Sequence, residues 1–367
     1  MTLRNRRSSI ADPAFATAAQ GTATGLGLET HLLGGLGEYS PERAVRIARL
    51  AGRVFTVRPR GFDYGLLESS GVESLRDVQR EIREDVQGDA KAAFERITIN
   101  GLGKQAVVID ITAERSLGRH LRRRLARFDP LVLGEESLRD PGLDLTGLDR
   151  LVILVDAIDG TDLLERGFGT WCSAVTMFHP ASRRILAAMV ALPCGTVYAA
   201  NERSETVKYE PKSAKPILVS GPDTCTGLQD ASIAFYGQKP DRLAMLSEAG
   251  FFRALDQVRD QNSGGRLRIY TFGGNPAMVR MIDGASRMHV VFDACGQAPH
   301  DMVPGAFLAV RAGSAMLDLK GNAFDWMTPL LRPAHRSSRC KYVLGATQEL
   351  ALSFGRMLAG DSSAPAI

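Results

Sequence analysis

Residues 151 to 162 read LVILVDAIDGTD, and their chemistry turns on the change of character at Asp156. Five apolar residues, Leu151 to Val155, form the pattern of a buried strand. That strand runs out into Asp156 and Asp159. A carboxylate at the end of an apolar run is costly to fold unless a cation meets it. Gly160 allows a sharp turn and a close approach of backbone to ligand. Thr161 or Asp162 can cap a following helix, whose first N–H groups would face an anion. A second run, Pro130 to Leu133, passes from apolar to acidic at Gly134-Glu135-Glu136-Ser137. Two strand ends that both deliver carboxylates raise each other's pKa unless cations intervene. Carboxylates for hard cations beside a helix start for phosphate suit metal-assisted phosphoryl chemistry.

The elements that must position these residues follow from the pattern around them. Pro41 stands at the start of a helical stretch, PERAVRIARLAGRVF, and residues 74 to 96 form a second one interrupted at Gly88. Val107 to Ile109 read as a strand, with a helix from Thr112 or Ala113 carrying Glu114, Leu117, Leu121 and Leu125. WCSAVTMF and RILAAMVALPCGTVYAA read as core strands of a hairpin. The polar, proline-containing stretch from Lys208 to Pro216 marks a boundary. Beyond it SIAFYG, RLRIYTFGG and RMHVVFD alternate as strands with two helical segments, which argues for α/β layers. The expected organisation is a flexible segment at 1–38, an N-terminal α/β subdomain at 39–210, a C-terminal one at 211–355 and a flexible tail at 356–367.

Composition narrows the partners. With 367 residues the chain can bury a sizeable core, and a net charge of +4 is too small to argue for nucleic acid. The arginines of HLRRRLAR read as a solvated helix face. Five cysteines without CxxC spacing suit reduced thiols in the cytoplasm. No apolar run approaches the ~20 residues of a membrane span, and no apolar segment follows the basic N-terminus as in a secretory signal.

DAIDGT resembles the Asp-Pro-Ile-Asp-Gly-Thr signature of the inositol monophosphatase superfamily, with Ala157 in the place of proline. Two further motifs stand in order. Gly134-Glu135-Glu136-Ser137 is similar to Gly-Glu-Glu-Ser, and His300-Asp301 before PGAFLAVRAGSAMLDLKG is similar to Trp-Asp before an apolar helix. The similarity covers roughly residues 75 to 350.

The resemblance implies a layered αβαβα sandwich of two subdomains, and a Mg2+-dependent, Li+-sensitive phosphomonoesterase that acts as a homodimer. Two or three Mg2+ ions would be held by Glu135, Asp156, the Ile158 carbonyl, Asp159 and Asp301. Thr161 would activate water with an acid partner from a Thr-x-x-Asp element, a place that Glu114 fills by position. Asp156 would take part in catalysis through the metal. Gly160, Thr161 and Asp159 would face the substrate. His300 stands where relatives carry Trp or Thr, and would touch phosphate or fill space. Tyr270 stands where relatives often carry Arg, which makes transfer of a substrate from relatives unsafe. The substrate class implied is a small phosphorylated metabolite, an inositol phosphate or sugar phosphate. The alternatives are a 3'-phosphonucleotide, fructose 1,6-bisphosphate, or a diverged phosphate-ligand binder on the same scaffold.

Overall fold

The computed structural model describes residues 61–359, apart from 99–104, 139, 224, 226, 238, 249, 261–265 and 285–286. The expected helix at Pro41, the N-terminal segment 1–38 and residues 360–367 of the expected C-terminal tail lie outside the described residues, whereas 356–358 end the last helix.

The described chain opens with α1 (Tyr64–Ala93), capped by the Asp63 carboxylate, which accepts the Leu66 N–H at 3.0 Å. Leu67, Leu75, Val78 and Ile82 line its buried face. Its backbone breaks at Asp89, beside Gly88. A short ribbon of β1 (Arg96–Thr98) and β2 (Gln105–Val107) leads into α2 (Val108–Arg124). Ile109, Ala113, Leu117 and Leu121, spaced by four, form the buried stripe of α2. Burying each leucine stabilises the fold by about 2 kcal/mol. This stripe overrides the β-branched run Val107–Val108–Ile109, so the helix begins four residues before the point expected from the sequence.

Seven strands follow as one sheet: β3 (Leu131–Gly134), β4 (Val152–Asp159), β5 (Cys172–His179), β6 (Arg184–Ala191), β7 (Val197–Asn201), β8 (Val207–Tyr209) and β9 (Ile217–Leu218), adjacent in chain order. Only β3 and β4 run parallel; the other neighbours are antiparallel. A five-residue helix, α3 (Thr161–Glu165), hangs from the end of β4. The sheet closes on β9, past the boundary at 210 expected from the sequence.

The second sheet is built from β10 (Ser232–Phe235), β11 (Arg268–Tyr270), β12 (Val290–Gln297), β13 (Ala315–Leu317) and β14 (Cys340–Gly345), in spatial order β11-β10-β12-β14-β13. Helices α4 (Pro240–Glu248), α5 (Phe251–Asp260), α6 (Asn275–Ile282), α7 (Pro299–Arg311), α8 (Met327–Leu331) and α9 (Gln348–Leu358) complete the described α-helices.

Three cores give the layer order. One joins α1 and α2 to the seven-stranded sheet through Leu67, Leu117, Ile153, Val155 and Val175. A second joins the opposite face of that sheet to α6 and α7 and on to the five-stranded sheet, through Leu154, Phe178, Met278, Val303 and Leu344. The third joins the outer face of the five-stranded sheet to α5 and α9, through Phe235, Phe251, Phe292 and Phe354. Helices, sheet, helices, sheet and helices make the αβαβα sandwich. Among the described residues, no helix is long and apolar enough to cross a membrane.

Candidate metal centre

Strand β4 carries its two acids to one place by means of a break in register. Its pairing with β5 shifts between Asp156 and Asp159, and the two residues between, Ala157 and Ile158, both sink into the core under α1 and α2. A bulge of this kind resets the alternation of side chains. Asp156 is 3% exposed, and its Oδ1 accepts the Ile158 N–H at 3.1 Å. Gly160 follows at φ 98°, a left-handed turn in which an added Cβ would press on Leu163 and Trp171. Gly160 itself sits at the helix N-cap, with no side-chain cap from Thr161 or Asp162.

Glu135 enters from the turn after β3, the parallel neighbour of β4. Asp301 enters from the first turn of α7, where its carboxylate accepts the Ala298 N–H at 3.2 Å. Burial pushes the Asp156 carboxyl well above the usual range, and the charges of Glu135, Asp159, Asp301 and Asp110 push it further. Asp159 is raised by burial and by Asp301, against a hydrogen bond from Asn275. Asp301 is raised by burial, which His300 opposes. Such mutual repulsion is what bound cations remove, and a set of carboxylate oxygens suits a hard divalent ion. The donor set therefore fits Mg2+.

Thr161 takes a different partner from the one expected. Its hydroxyl lies 2.6 Å from Asp110 Oδ1 and 3.1 Å from the Ile158 carbonyl. Asp110, not Glu114, is the acid paired with Thr161. The reason is the early start of α2: the first helical turn holds Asp110, and Glu114 lies one turn further on. There Glu114 packs against Gly134, where an added Cβ would fall 2.1 Å from its carboxyl carbon, and accepts the Glu136 N–H at 2.7 Å. Burial pushes its pKa up to about 7. Glu114 thus braces the turn that presents Glu135.

The second half closes the site with α6. Asn275 is fully buried; its Nδ2 lies 3.1 Å from Asp159 Oδ2 and 2.9 Å from the His300 carbonyl, and its Oδ1 accepts the Gly305 N–H at 2.8 Å. Gly274, at φ 72°, leaves room that a Cβ would fill 3.3 Å from Asp159 Oδ2. Tyr236 follows β10, and its hydroxyl pKa is raised by burial and by the charges of Asp162, Asp159 and Asp301. The Arg242 guanidinium lies 4.7 Å from that ring's centroid and pairs with buried Asp293 at 2.7 Å. Asn275, Tyr236 and Arg242 escaped sequence reasoning because their approach depends on the packing of the two sheets. Asp110 carried a readable signal, an acid four residues before Glu114 on the same helix face.

Tyr270 lies on edge strand β11, 40% exposed, with its ring 5.8 Å from Phe272. His300 is buried on α7; its Nε2 is 3.2 Å from Asp301 Oδ1 and 3.9 Å from Glu135 Oε2.

No protein-family model and no curated protein sequence matches the chain. Solved structures do match. An IMPase, or inositol monophosphatase, from Thermotoga maritima has a TM-score of 0.56 at 14% identity, covering 79% of this chain and 95% of its own. The extragenic suppressor protein suhB from Bartonella henselae has a TM-score of 0.55 at 17% identity, covering 79% and 97%. An IMPase/NADP phosphatase complexed with NADP and Ca2+ has a TM-score of 0.56 at 15% identity, covering 82% and 98%. At such identities the likeness is one of fold.

Proposed function

We propose that this chain, which has the inositol monophosphatase fold, is a Mg2+-dependent phosphomonoesterase acting on a small phosphorylated metabolite. The observation that carries the reading is the convergence of Glu135, Asp156, Asp159 and Asp301 beside the Thr161–Asp110 pair. Four carboxylates brought to one place have no structural purpose that apolar residues would not serve better.

Glu135, Asp156, Asp159, Asp301 and the Ile158 carbonyl would hold two or three Mg2+ ions. When bound, such ions supply charge neutralisation at the phosphoryl oxygens and a more acidic water. The rest falls to the protein. Thr161 donates its hydroxyl hydrogen bond to Asp110, which turns the Thr161 lone pairs toward the incoming water. As the water oxygen bonds to phosphorus its proton passes through the Thr161 hydroxyl to Asp110, while the ester P–O bond breaks and the leaving alkoxide takes a proton from solvent. The backbone N–H groups of Gly160 and Thr161 orient the phosphate oxygens.

The test is phosphate release from inositol phosphates, fructose 1,6-bisphosphate, other sugar phosphates and 3'-phosphonucleotides, with and without Mg2+. The NADP complex of the similar structure motivates adding NADP and 2'-AMP to the panel. Mg2+-dependent release from one class is expected. No release from any, by folded protein that binds Mg2+, would leave the phosphate-binder reading, which the departures at Ala157, Asp162, Tyr270 and His300 favour. The reading includes a cytoplasmic homodimer without nucleic-acid or membrane partners; light scattering in solution tests the dimer.

A further inference from the structure

His300 brings a nitrogen beside the carboxylates of Glu135 and Asp301. It is the second residue of α7, directly before Asp301, and its carbonyl is fastened by the Asn275 side chain at 2.9 Å. The side chain is 9% exposed. Its Nδ1 is buried without a hydrogen-bond partner, so the ring's polar contacts given by the structure lie at Nε2. Nε2 faces Asp301 Oδ1 at 3.2 Å and Glu135 Oε2 at 3.9 Å, and one donor atom from each of the three residues lies within 4.8 Å of the others. Two donors each about 2.1 Å from one cation lie about 3.0 Å apart at a right angle and about 4.2 Å apart in line. Both measured separations fall in that span. Nitrogen donors favour Mn2+, Co2+ and Zn2+ over Mg2+, which prefers oxygen.

We propose that His300 Nε2 is a ligand of the cation held between Glu135 and Asp301, and that this position selects a transition ion such as Mn2+ over Mg2+. The Asp156 and Asp159 side of the centre keeps its oxygen donors for Mg2+. The proposal rests on the metal-binding reading above and narrows it to one position.

The full chain, stripped by chelation, is titrated with Mn2+ under electron paramagnetic resonance and with Mg2+ by calorimetry, as wild type and as His300→Gln. Pulsed spectra of bound Mn2+ are expected to show nitrogen modulation that changes on 15N-histidine labelling and vanishes in His300→Gln. In that variant Mn2+ affinity falls about tenfold or more while Mg2+ affinity moves less than about threefold. Absence of histidine nitrogen coupling in the wild type overturns the proposal. So does tighter binding of both ions by His300→Gln, which would make the imidazole a counter-ion that competes with metal. If the variant does not fold, the labelled wild-type spectrum decides alone. If the wild type binds neither ion, the metal reading itself fails, a result distinct from Mn2+ binding without nitrogen.

Discussion

Asp110 and Glu114 lie one helical turn apart and face different tasks. Asp110 holds the Thr161 hydroxyl at 2.6 Å, whereas Glu114 holds the Glu136 N–H at 2.7 Å. Asp110→Asn should therefore lower kcat by about 100-fold or more with KM changed less than about threefold, the signature of a lost proton acceptor. Glu114→Gln should keep kcat within about tenfold, because it disturbs only the turn carrying Glu135. Steady-state kinetics of both variants on the best substrate check the pair; equal losses would return Glu114 to the chemistry. Glu114 also leaves a mark on stability. Burial pushes its folded pKa up to about 7, above the 4.5 of an ordinary glutamate. The native state then binds a proton that the unfolded state has already lost, so stability falls as pH rises from about 4.5 to about 7. Below that window the effect is absent, and above it the penalty is complete. Thermal melts across pH should show a flatter profile for Glu114→Gln than for wild type.

At the scale of elements, α6 and the end of β4 are joined by one side chain. Asn275 reaches Asp159, the His300 carbonyl and the Gly305 N–H at once, so it ties α6 to both β4 and α7. Asn275→Ala would leave a buried carbonyl and a buried N–H unpaired, at about 2–4 kcal/mol of stability in a denaturant melt. It would also free Asp159 to turn, weakening divalent-ion binding by calorimetry. Gly274 adds a second constraint: its φ of 72° disfavours any side chain, and a Cβ there would meet the Asp301 carbonyl at 3.1 Å. Gly274→Ala should lower both stability and turnover.

For the whole molecule, the clustered acids make stability depend on the ions present. Asp156, Asp159 and Asp301 all have raised pKa values. Without metal the native state holds extra protons, so the stripped protein loses stability as pH rises through the carboxylate range. Cations need the ionised acids, so their binding strengthens in the same direction. The gain in stability on adding Mg2+ should then widen as pH rises through and above the ordinary carboxylate range, reaching about 2.7 kcal/mol at an ion concentration a hundredfold above Kd. Asp156→Asn should abolish most of that gain. Thermal melts with Mg2+ and with chelator measure it; a gain independent of pH would mean that these carboxylates are not the ligands.

The sequence by itself determined the parts governed by local pattern. An apolar run ending in Asp156 and Asp159 is legible as a strand that delivers acids, because period and polarity are properties of neighbouring residues. The turn at Gly134-Glu135 and the αβ alternation of the second half are legible for the same reason. Where a helix begins is less local. Val107 to Ile109 favour a strand by their branching, and only the burial of Ile109 with Ala113, Leu117 and Leu121 under the first sheet makes Val108 helical. That shift replaced Glu114 by Asp110 beside Thr161. The tertiary structure alone decided what meets across the two sheets: Asn275 on Asp159, and His300 Nε2 against Glu135 and Asp301. Asn275 lies 116 positions from Asp159 and His300 lies 165 from Glu135, and no spacing rule reaches that far.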